Sequence, residues 1–152
     1  MTKNKEMILH KTQSLTFFTP ERLDNSGAAF FNTGISAGFP SPAEDFKQQR
    51  LSLDNELVKN KEATFFARVS GQSMIGAGLD DSDLLVIDRS LEPEHNKIAV
   101  CFLDGEFTVK RLKVERDGVW LQPENSNYEP IKITDDNDFV IWGIVTNVIK
   151  KV

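Results

Sequence analysis

Ser73 and Lys110 are the two residues of this chain whose types and surroundings are best suited to covalent chemistry. Ser73 follows an apolar run and lies in the segment Ser-Gly-Gln-Ser-Met at 70–74. Its hydroxyl is a weak nucleophile until a base accepts its proton. A lysine can be that base when burial in apolar surroundings lowers the pKa of its amine. Lys110 lies in a strand-like run where its same-face neighbours are mostly apolar. The pair therefore predicts a serine nucleophile and a lysine base.

A peptide bond suited to this pair lies upstream in the same chain. The segment Ile-Ser-Ala-Gly-Phe-Pro at 35–40 is rich in small residues, which lets a backbone enter a narrow cleft. A nucleophile, a base and a built-in substrate together point to a protein that cuts itself.

The same residues allow other interpretations. Ser73 could serve only as the N-cap of a short helix that begins at Met74, where nearby backbone N–H groups could also receive an oxyanion. His95 is the alternative base, but its polar loop predicts a surface residue. The acidic cluster at 80–83 lacks the glycine and terminal glutamate of a calcium loop, so we expect turn and capping roles there. We expect no cofactor and no metal site.

Charge and composition limit the partners. The 152 residues fit one domain with a short extension, and the formal net charge is −5. Four basic and three acidic residues lie in the first 37, so the excess of negative charge belongs to the remainder. An acidic domain is a poor match for phosphate backbones, which disfavours direct DNA binding. The lone Cys101 lies in an apolar run and is expected in the core, as in a reducing compartment.

The elements that must position these residues are mostly strands. Residues 1–37 form an arm, either a free tail or a segment whose phenylalanines dock on the globular part. A capping box at 41–44 predicts a helix to about Arg50, and a second short helix is expected over 53–59. The Asp-Gly pairs at 104–105 and 117–118 predict hairpin turns. The predicted strands cover 64–69, 84–87, 98–103, 107–114, 119–122, 131–133 and 139–149, an all-β core folded or partly closed on itself.

Three separated segments resemble the LexA/UmuD family of self-cleaving Ser-Lys peptidases of the S24 type. They are 70–74, the run Gly-Leu-Asp-Asp-Ser-Asp-Leu-Leu-Val-Ile-Asp at 78–88, and Asp-Gly-Glu-Phe-Thr-Val-Lys-Arg-Leu at 104–112. The resemblance covers about 35–152. It implies a compact, partly closed β-sheet domain with one or two short helices at 38–152, preceded by an extended N-terminal arm at 1–37.

The resemblance also implies the mechanism and the bond. A Ser73/Lys110 dyad would cut between Ala37 and Gly38, with the oxyanion near the backbone amides of Ser73 and Met74. The 37 residues before that bond cannot supply the helix-turn-helix domain of the repressor branch. The segment at 38–45 looks like the UmuD branch, whose trimmed homodimer joins the UmuC-type polymerase as translesion DNA polymerase V. Stimulation by a RecA filament on single-stranded DNA is implied in the same way.

Three alternative functions remain on the sequence alone. The chain could be a catalytically inert module that regulates a polymerase, a relative of mobile-element repressors, or a Ser-Lys peptidase that acts on other proteins. The most apolar stretch, 139–149, is interrupted by polar residues and is too short to span a bilayer, so no membrane association is expected. We expect a cytoplasmic protein.

Overall fold

The computed structural model of the chain describes residues 8–11, 15–19, 28–31, 37–38 and 48–152. Strands dominate the described part, with one short α-helix, α1 (Leu53–Leu57), and 3-10 turns at Lys61–Ala63 and Ile75–Ala77. The strands are β1 (Ile8–Lys11), β2 (Leu15–Phe18), β3 (Ala28–Phe31), β4 (Gln48–Leu51), β5 (Thr64–Val69), β6 (Leu84–Asp88), β7 (Ile98–Leu103), β8 (Glu106–Glu115), β9 (Gly118–Gln122), β10 (Ile131–Lys132) and β11 (Phe139–Ile149).

The strands belong to two compact units. One unit contains β1, β2 and everything from Asn60 onward, and the other contains β3, β4 and α1. In the first unit a nine-stranded sheet has the order β1-β2-β5-β6-β11-β7-β8-β9-β10, and every pair is antiparallel. In the second unit β3 pairs with β4. The mostly-β fold expected from the sequence is confirmed.

The nine-stranded sheet curls on itself. Five inter-strand steps separate β2 from β8 in the strand order, which would place them roughly 24 Å apart in a flat sheet. Yet the rings of Phe17 on β2 and Phe107 on β8 meet edge to face with centroids 4.8 Å apart. Only 2% of the surface of Phe17 is exposed. This supports the interpretation in which phenylalanines of the arm dock on the globular part.

Strand β7 is buried on both faces. Successive side chains of a strand point to opposite faces, so they enter different core clusters. Val100 belongs to a core cluster that reaches from β2 to β8, and Ala99 and Cys101 belong to a second cluster with residues of β8, β9 and β11. Burial raises the pKa of the Cys101 thiol to about 12. Cys101 is therefore a core residue, as predicted.

Two of the local predictions have different outcomes. The hairpin turn at Asp104-Gly105 is confirmed, with φ of 49° and 91° at its two residues. The helix predicted to reach Arg50 is wrong at its end, because Gln48–Leu51 pairs with β3 over four residues. A capping box acts on one turn, whereas strand pairing satisfies the backbone groups of a whole segment. The start of that helix, at 41–44, lies outside the described residues.

The second predicted helix is confirmed as α1, whose N-cap Ser52 accepts a hydrogen bond from the N–H of Asn55 at 3.4 Å. Within the described ranges, the structure contains no helix long and apolar enough to cross a membrane.

Candidate active site

The curl of the sheet brings Ser73 and Lys110 together. Ser73 lies in the loop that follows β5, and Lys110 lies in the middle of β8, with three strands between β5 and β8 in the sheet order. Lys110 Nζ donates a hydrogen bond to Ser73 Oγ at 3.0 Å. The two residues singled out in the sequence are thus in direct contact.

Lys110 is buried without a carboxylate partner among the described residues. Only 8% of its surface is exposed. Besides Ser73, its ammonium donates to Thr108 Oγ1 at 2.7 Å and to the carbonyl oxygen of Val109 at 3.0 Å. All of these acceptors are neutral oxygens, and desolvation therefore lowers the pKa of Lys110 below its ordinary value, an effect that the nearby Cys101 opposes.

The hydrogen-bond geometry suits the neutral amine. A neutral lysine amine has two N–H donors and one lone pair, whereas the ammonium has three donors and no acceptor. Thr108 Oγ1 and the Val109 carbonyl can take the two N–H donors. The lone pair then faces Ser73 Oγ, where it can accept the hydroxyl proton.

Two side chains hold the loop that carries Ser73. Asp81 Oδ1 accepts a hydrogen bond from the N–H of Gly71 at 2.8 Å. Asn125 Nδ2 donates to the carbonyl oxygen of Gln72 at 2.8 Å. These contacts tie the loop to the turn before β6 on one side and to the segment after β9 on the other.

Backbone contacts hold the same loop from its other end. The N–H of Glu124 donates to the Ser73 carbonyl at 2.8 Å, and the N–H of Gly76 donates to the Glu124 carbonyl at 2.7 Å. A Cβ at Gly76 would lie 2.6 Å from the Glu124 carbonyl oxygen, so this approach requires glycine. The Glu124 carboxylate in turn pairs with Arg111, the neighbour of Lys110 on β8.

The interpretation of Ser73 as a helix cap is wrong. The 3-10 turn at Ile75–Ala77 has Met74 at the capping position, and no side chain caps it. The Ser73 hydroxyl is engaged by Lys110 instead. The backbone N–H groups of Ser73 and Met74 have no acceptor among the described residues, which leaves both able to donate to a bound oxyanion.

The other sequence candidates play structural roles. His95 is exposed, as predicted, and its Nδ1 accepts the N–H of Val114 at 2.9 Å. In the acidic cluster, Asp83 Oδ2 accepts the N–H of Asp80 at 2.8 Å, and Lys150 binds both carboxylates. The turn role predicted for this cluster is therefore confirmed. No group of three or more metal-ligating side chains occurs in the part of the chain that the structure describes.

Two cavities flank Ser73. A cleft of about 440 Å³ is lined by residues that include Ser73, Lys110, Phe107 and Tyr128. A much smaller pocket of about 30 Å³ lies beside Ser73 among Leu15, Val69, Met74, Leu79 and Val109. Ala37 and Gly38 belong to the other unit, where both are exposed.

The residues that contact Lys110 and hold the Ser73 loop were not predicted from the sequence. Thr108 had a visible signal, since it lies two residues before Lys110 and thus on the same face of a strand. Asp81 and Asn125 had none, because their partners, Gly71 and Gln72, are 10 and 53 residues away. Only the folded chain shows these contacts.

Comparisons with known proteins show the family of the chain. Residues 29–146 match the family model described as peptidase S24-like. The chain belongs to this family. It is 44% identical over 131 residues to protein MucA of Salmonella typhimurium, an alignment that covers 82% of this chain and 89% of MucA. It is 41% identical over 132 residues to protein ImpA of Escherichia coli, with 87% and 90% covered.

A more distant relative is LexA repressor 1 of Geobacter sulfurreducens, 37% identical over 115 residues. That alignment covers 75% of this chain but 56% of the repressor. The resemblance to the LexA/UmuD family that the three sequence motifs indicated is thereby confirmed at the level of the family.

Proposed function

We propose that this protein cleaves its own backbone between Ala37 and Gly38, with Ser73 as nucleophile and Lys110 as general base. The observation that carries the proposal is the buried Lys110 Nζ, 3.0 Å from Ser73 Oγ and surrounded by neutral acceptors. A lysine so placed loses its proton more easily than an exposed one. The peptidase S24-like match gives the same class of reaction.

In the first step, neutral Lys110 accepts the Ser73 hydroxyl proton as Oγ attacks the carbonyl carbon of Ala37. The resulting oxyanion accepts hydrogen bonds from the backbone N–H groups of Ser73 and Met74. Lys110 then donates its extra proton to the nitrogen of Gly38 while the C–N bond breaks. Water, deprotonated by Lys110, attacks the Ser73–Ala37 ester. The ester bond then breaks, Lys110 returns that proton to Ser73 Oγ, and the C-terminal carboxyl group of Ala37 is released.

The pocket beside Ser73 supports a small residue before the cut. At about 30 Å³ it holds a group the size of one or two waters, which fits the methyl of Ala37. The exposure of Ala37 and Gly38 makes the bond accessible to a cleft. The products are an arm of residues 1–37 and a domain of residues 38–152.

We further propose a function of the UmuD type in the response to DNA damage. MucA and ImpA, relatives of similar length, support this branch of the family over the repressor branch. In this proposal a RecA filament favours a cleavage-competent arm pose that is otherwise rare, which makes unassisted cleavage slow. The trimmed homodimer then serves a UmuC-type polymerase as an accessory subunit and makes no direct contact with DNA.

The test is the intact mass of the purified protein after incubation at about pH 10, near the ordinary pKa of lysine. Wild type should yield a fragment that begins at Gly38, while Ser73→Ala and Lys110→Ala should stay whole. A parallel incubation at neutral pH adds an activated RecA filament. Protein that stays intact under all of these conditions would contradict self-cleavage and favour an inert polymerase-regulating module.

A further inference from the structure

Strand β2 pairs with β1 on one edge and with β5 on the other, and its Phe17 ring reaches Phe107 of β8. The place that β2 fills along β5 and against β8 is called the groove below. The backbone of β2 pairs with β5 over four residues, from Leu15 opposite Val69 to Phe18 opposite Phe66. Its alternate side chains Leu15 and Phe17 are 1% and 2% exposed, so they are core residues contributed by the N-terminal arm. Phe18, which points the other way, is only half-buried.

The groove selects side chains two residues apart. The Phe17 ring packs edge to face against Phe107 and Trp142, with both centroid distances at 4.8 Å. Leu15 lines the small pocket that also contains Ser73. An extended segment with an aliphatic residue followed, two positions later, by an aromatic one therefore satisfies both sites, because alternate residues of a strand face the same side.

Strand β2 and its neighbour β1 lie before the proposed cut, and the other strands of the sheet lie after it. While the chain is whole, the connection keeps β2 near β5 at an effective concentration on the order of millimolar. Once the bond between Ala37 and Gly38 is cut, β2 stays only through noncovalent contacts. Its loss would expose an unpaired β5 edge beside apolar surface, a combination that favours pairing with another strand.

We propose that the groove filled by β2 is a docking site for an extended segment of a partner protein, and that self-cleavage opens it. The segment would carry a large aliphatic and an aromatic side chain at positions i and i+2 and would add a strand to β5. In the intact chain, Leu15-Thr16-Phe17 occupies the place that this segment would take. This inference rests on the proposed function, since the cut at Ala37–Gly38 makes β2 exchangeable.

The experiment separates the groove from the cleavage chemistry. The recognition sequence of a site-specific protease is inserted between Ala37 and Gly38 of the full chain in a Ser73→Ala background, so the cut does not depend on the dyad. A fluorescent peptide of residues 11–21 is then titrated against cut and uncut protein, and binding is followed by anisotropy. Trp142 fluorescence reports the departure of Phe17 from its ring contacts.

We expect the cut protein to bind the peptide at least about tenfold more tightly than the uncut protein, because the tethered competitor is gone. A peptide with Phe17→Asp should lose more than about tenfold in affinity, since Phe17 is the buried anchor. A matched peptide with Phe18→Ala should bind like the unmodified one. Dissociation of the native arm should change Trp142 emission only after the cut.

Three results would overturn the proposal. They are equal uptake by cut and uncut protein, binding that ignores Phe17→Asp, and a native arm that millimolar peptide fails to displace. A cut protein that loses its arm, doubles in mass and takes up no peptide would assign the groove to a second copy of this chain. If wild type never cuts itself but the protease-cut variant binds as expected, the docking site stands and the proposed cleavage falls.

Discussion

Lys110 and Lys150 have the same side chain in opposite environments. Lys110 is buried in β8 and donates to two hydroxyl oxygens and one carbonyl. Lys150 follows β11, keeps 35% of its side chain exposed and binds the carboxylates of Asp80 and Asp83. The pKa of Lys110 is lowered, chiefly by burial, whereas hydrogen bonds to the two carboxylates raise the pKa of Lys150.

The difference teaches that the acceptors around a lysine decide what it can do. Carboxylates stabilise the ammonium, so Lys150 stays charged and holds the turn before β6. Neutral oxygens in a buried site leave the charge poorly compensated, so Lys110 can work as a base. The two sites are also connected through the chain, because Asp81, in the turn that Lys150 holds, anchors the Ser73 loop at Gly71.

Replacing each lysine by methionine should give the sharpest contrast. Lys110→Met should lower the rate of self-cleavage on the order of 10²–10⁴-fold, because the base is lost. Lys150→Met should leave the rate within a few-fold, because its ammonium makes no contact with Ser73 among the described residues. Rates are measured from the accumulation of the fragment that begins at Gly38. Equal losses of rate in the two variants would refute the assignment of the base to Lys110 alone.

The contributions of the two lysines to the free energy of unfolding should change in opposite directions as the pH rises. Cleavage should speed up about tenfold per pH unit until Lys110 is deprotonated, and then level off. The free energy of unfolding should also depend on pH. Between the lowered pKa of folded Lys110 and 10.5, the unfolded state binds more protons at this lysine than the folded state does. The contribution of Lys110 to the free energy of unfolding therefore rises with pH in this window. For Lys150 the folded state binds more protons above 10.5, so that contribution is lost as pH rises through its raised pKa.

The measurement is urea unfolding at several pH values from about 8 to 11, around the ordinary lysine pKa. The free energy of unfolding of wild type minus that of Lys110→Met should increase with pH. The same difference for Lys150→Met should decrease at the alkaline end of the range. Two slopes of the same sign would contradict the opposite shifts.

Thr108→Val tests whether neutral acceptors orient the base. The change removes the hydroxyl that accepts one N–H of Lys110, and we expect the high-pH plateau of the cleavage rate to fall roughly tenfold through misplacement of the amine. Thr108→Ser keeps the acceptor and should retain most of the rate. A plateau unchanged in Thr108→Val would show that Ser73 and Val109 suffice to orient Lys110.

The smallest effect is expected for the stability of Lys150→Met at neutral pH. Partly exposed ion pairs contribute little, so its melting temperature should fall only slightly. The fall should shrink further in high salt, which screens the pair. Asp80→Asn serves as a partner control: it removes one of the two ion pairs, keeps the pair with Asp83 and should cause a smaller fall. A large, salt-insensitive loss would mean that the turn before β6 depends on this clamp far more than its exposure indicates.

Most strands could be predicted because their signals are local. The predicted strand at 139–149 matches β11, and the one at 98–103 matches β7. The prediction that failed, the end of the helix at Arg50, also used a local signal, but there the pairing of β4 with β3 determined the structure. Strand β2 carried no local pattern clear enough to predict it, since its partner β5 begins more than 40 residues later.

The sequence by itself determined the identities of Ser73 and Lys110, the turns and strands around them and the family to which they belong. Periodicity, glycine positions and motif spacing are properties of short segments, and they survive without the rest of the chain. The tertiary structure alone decided the 3.0 Å contact, the neutral surroundings that lower the pKa of Lys110 and the seating of Phe17 in the core. Each of these depends on the curl of the sheet, which brings strands distant in sequence and in pairing order to the same place.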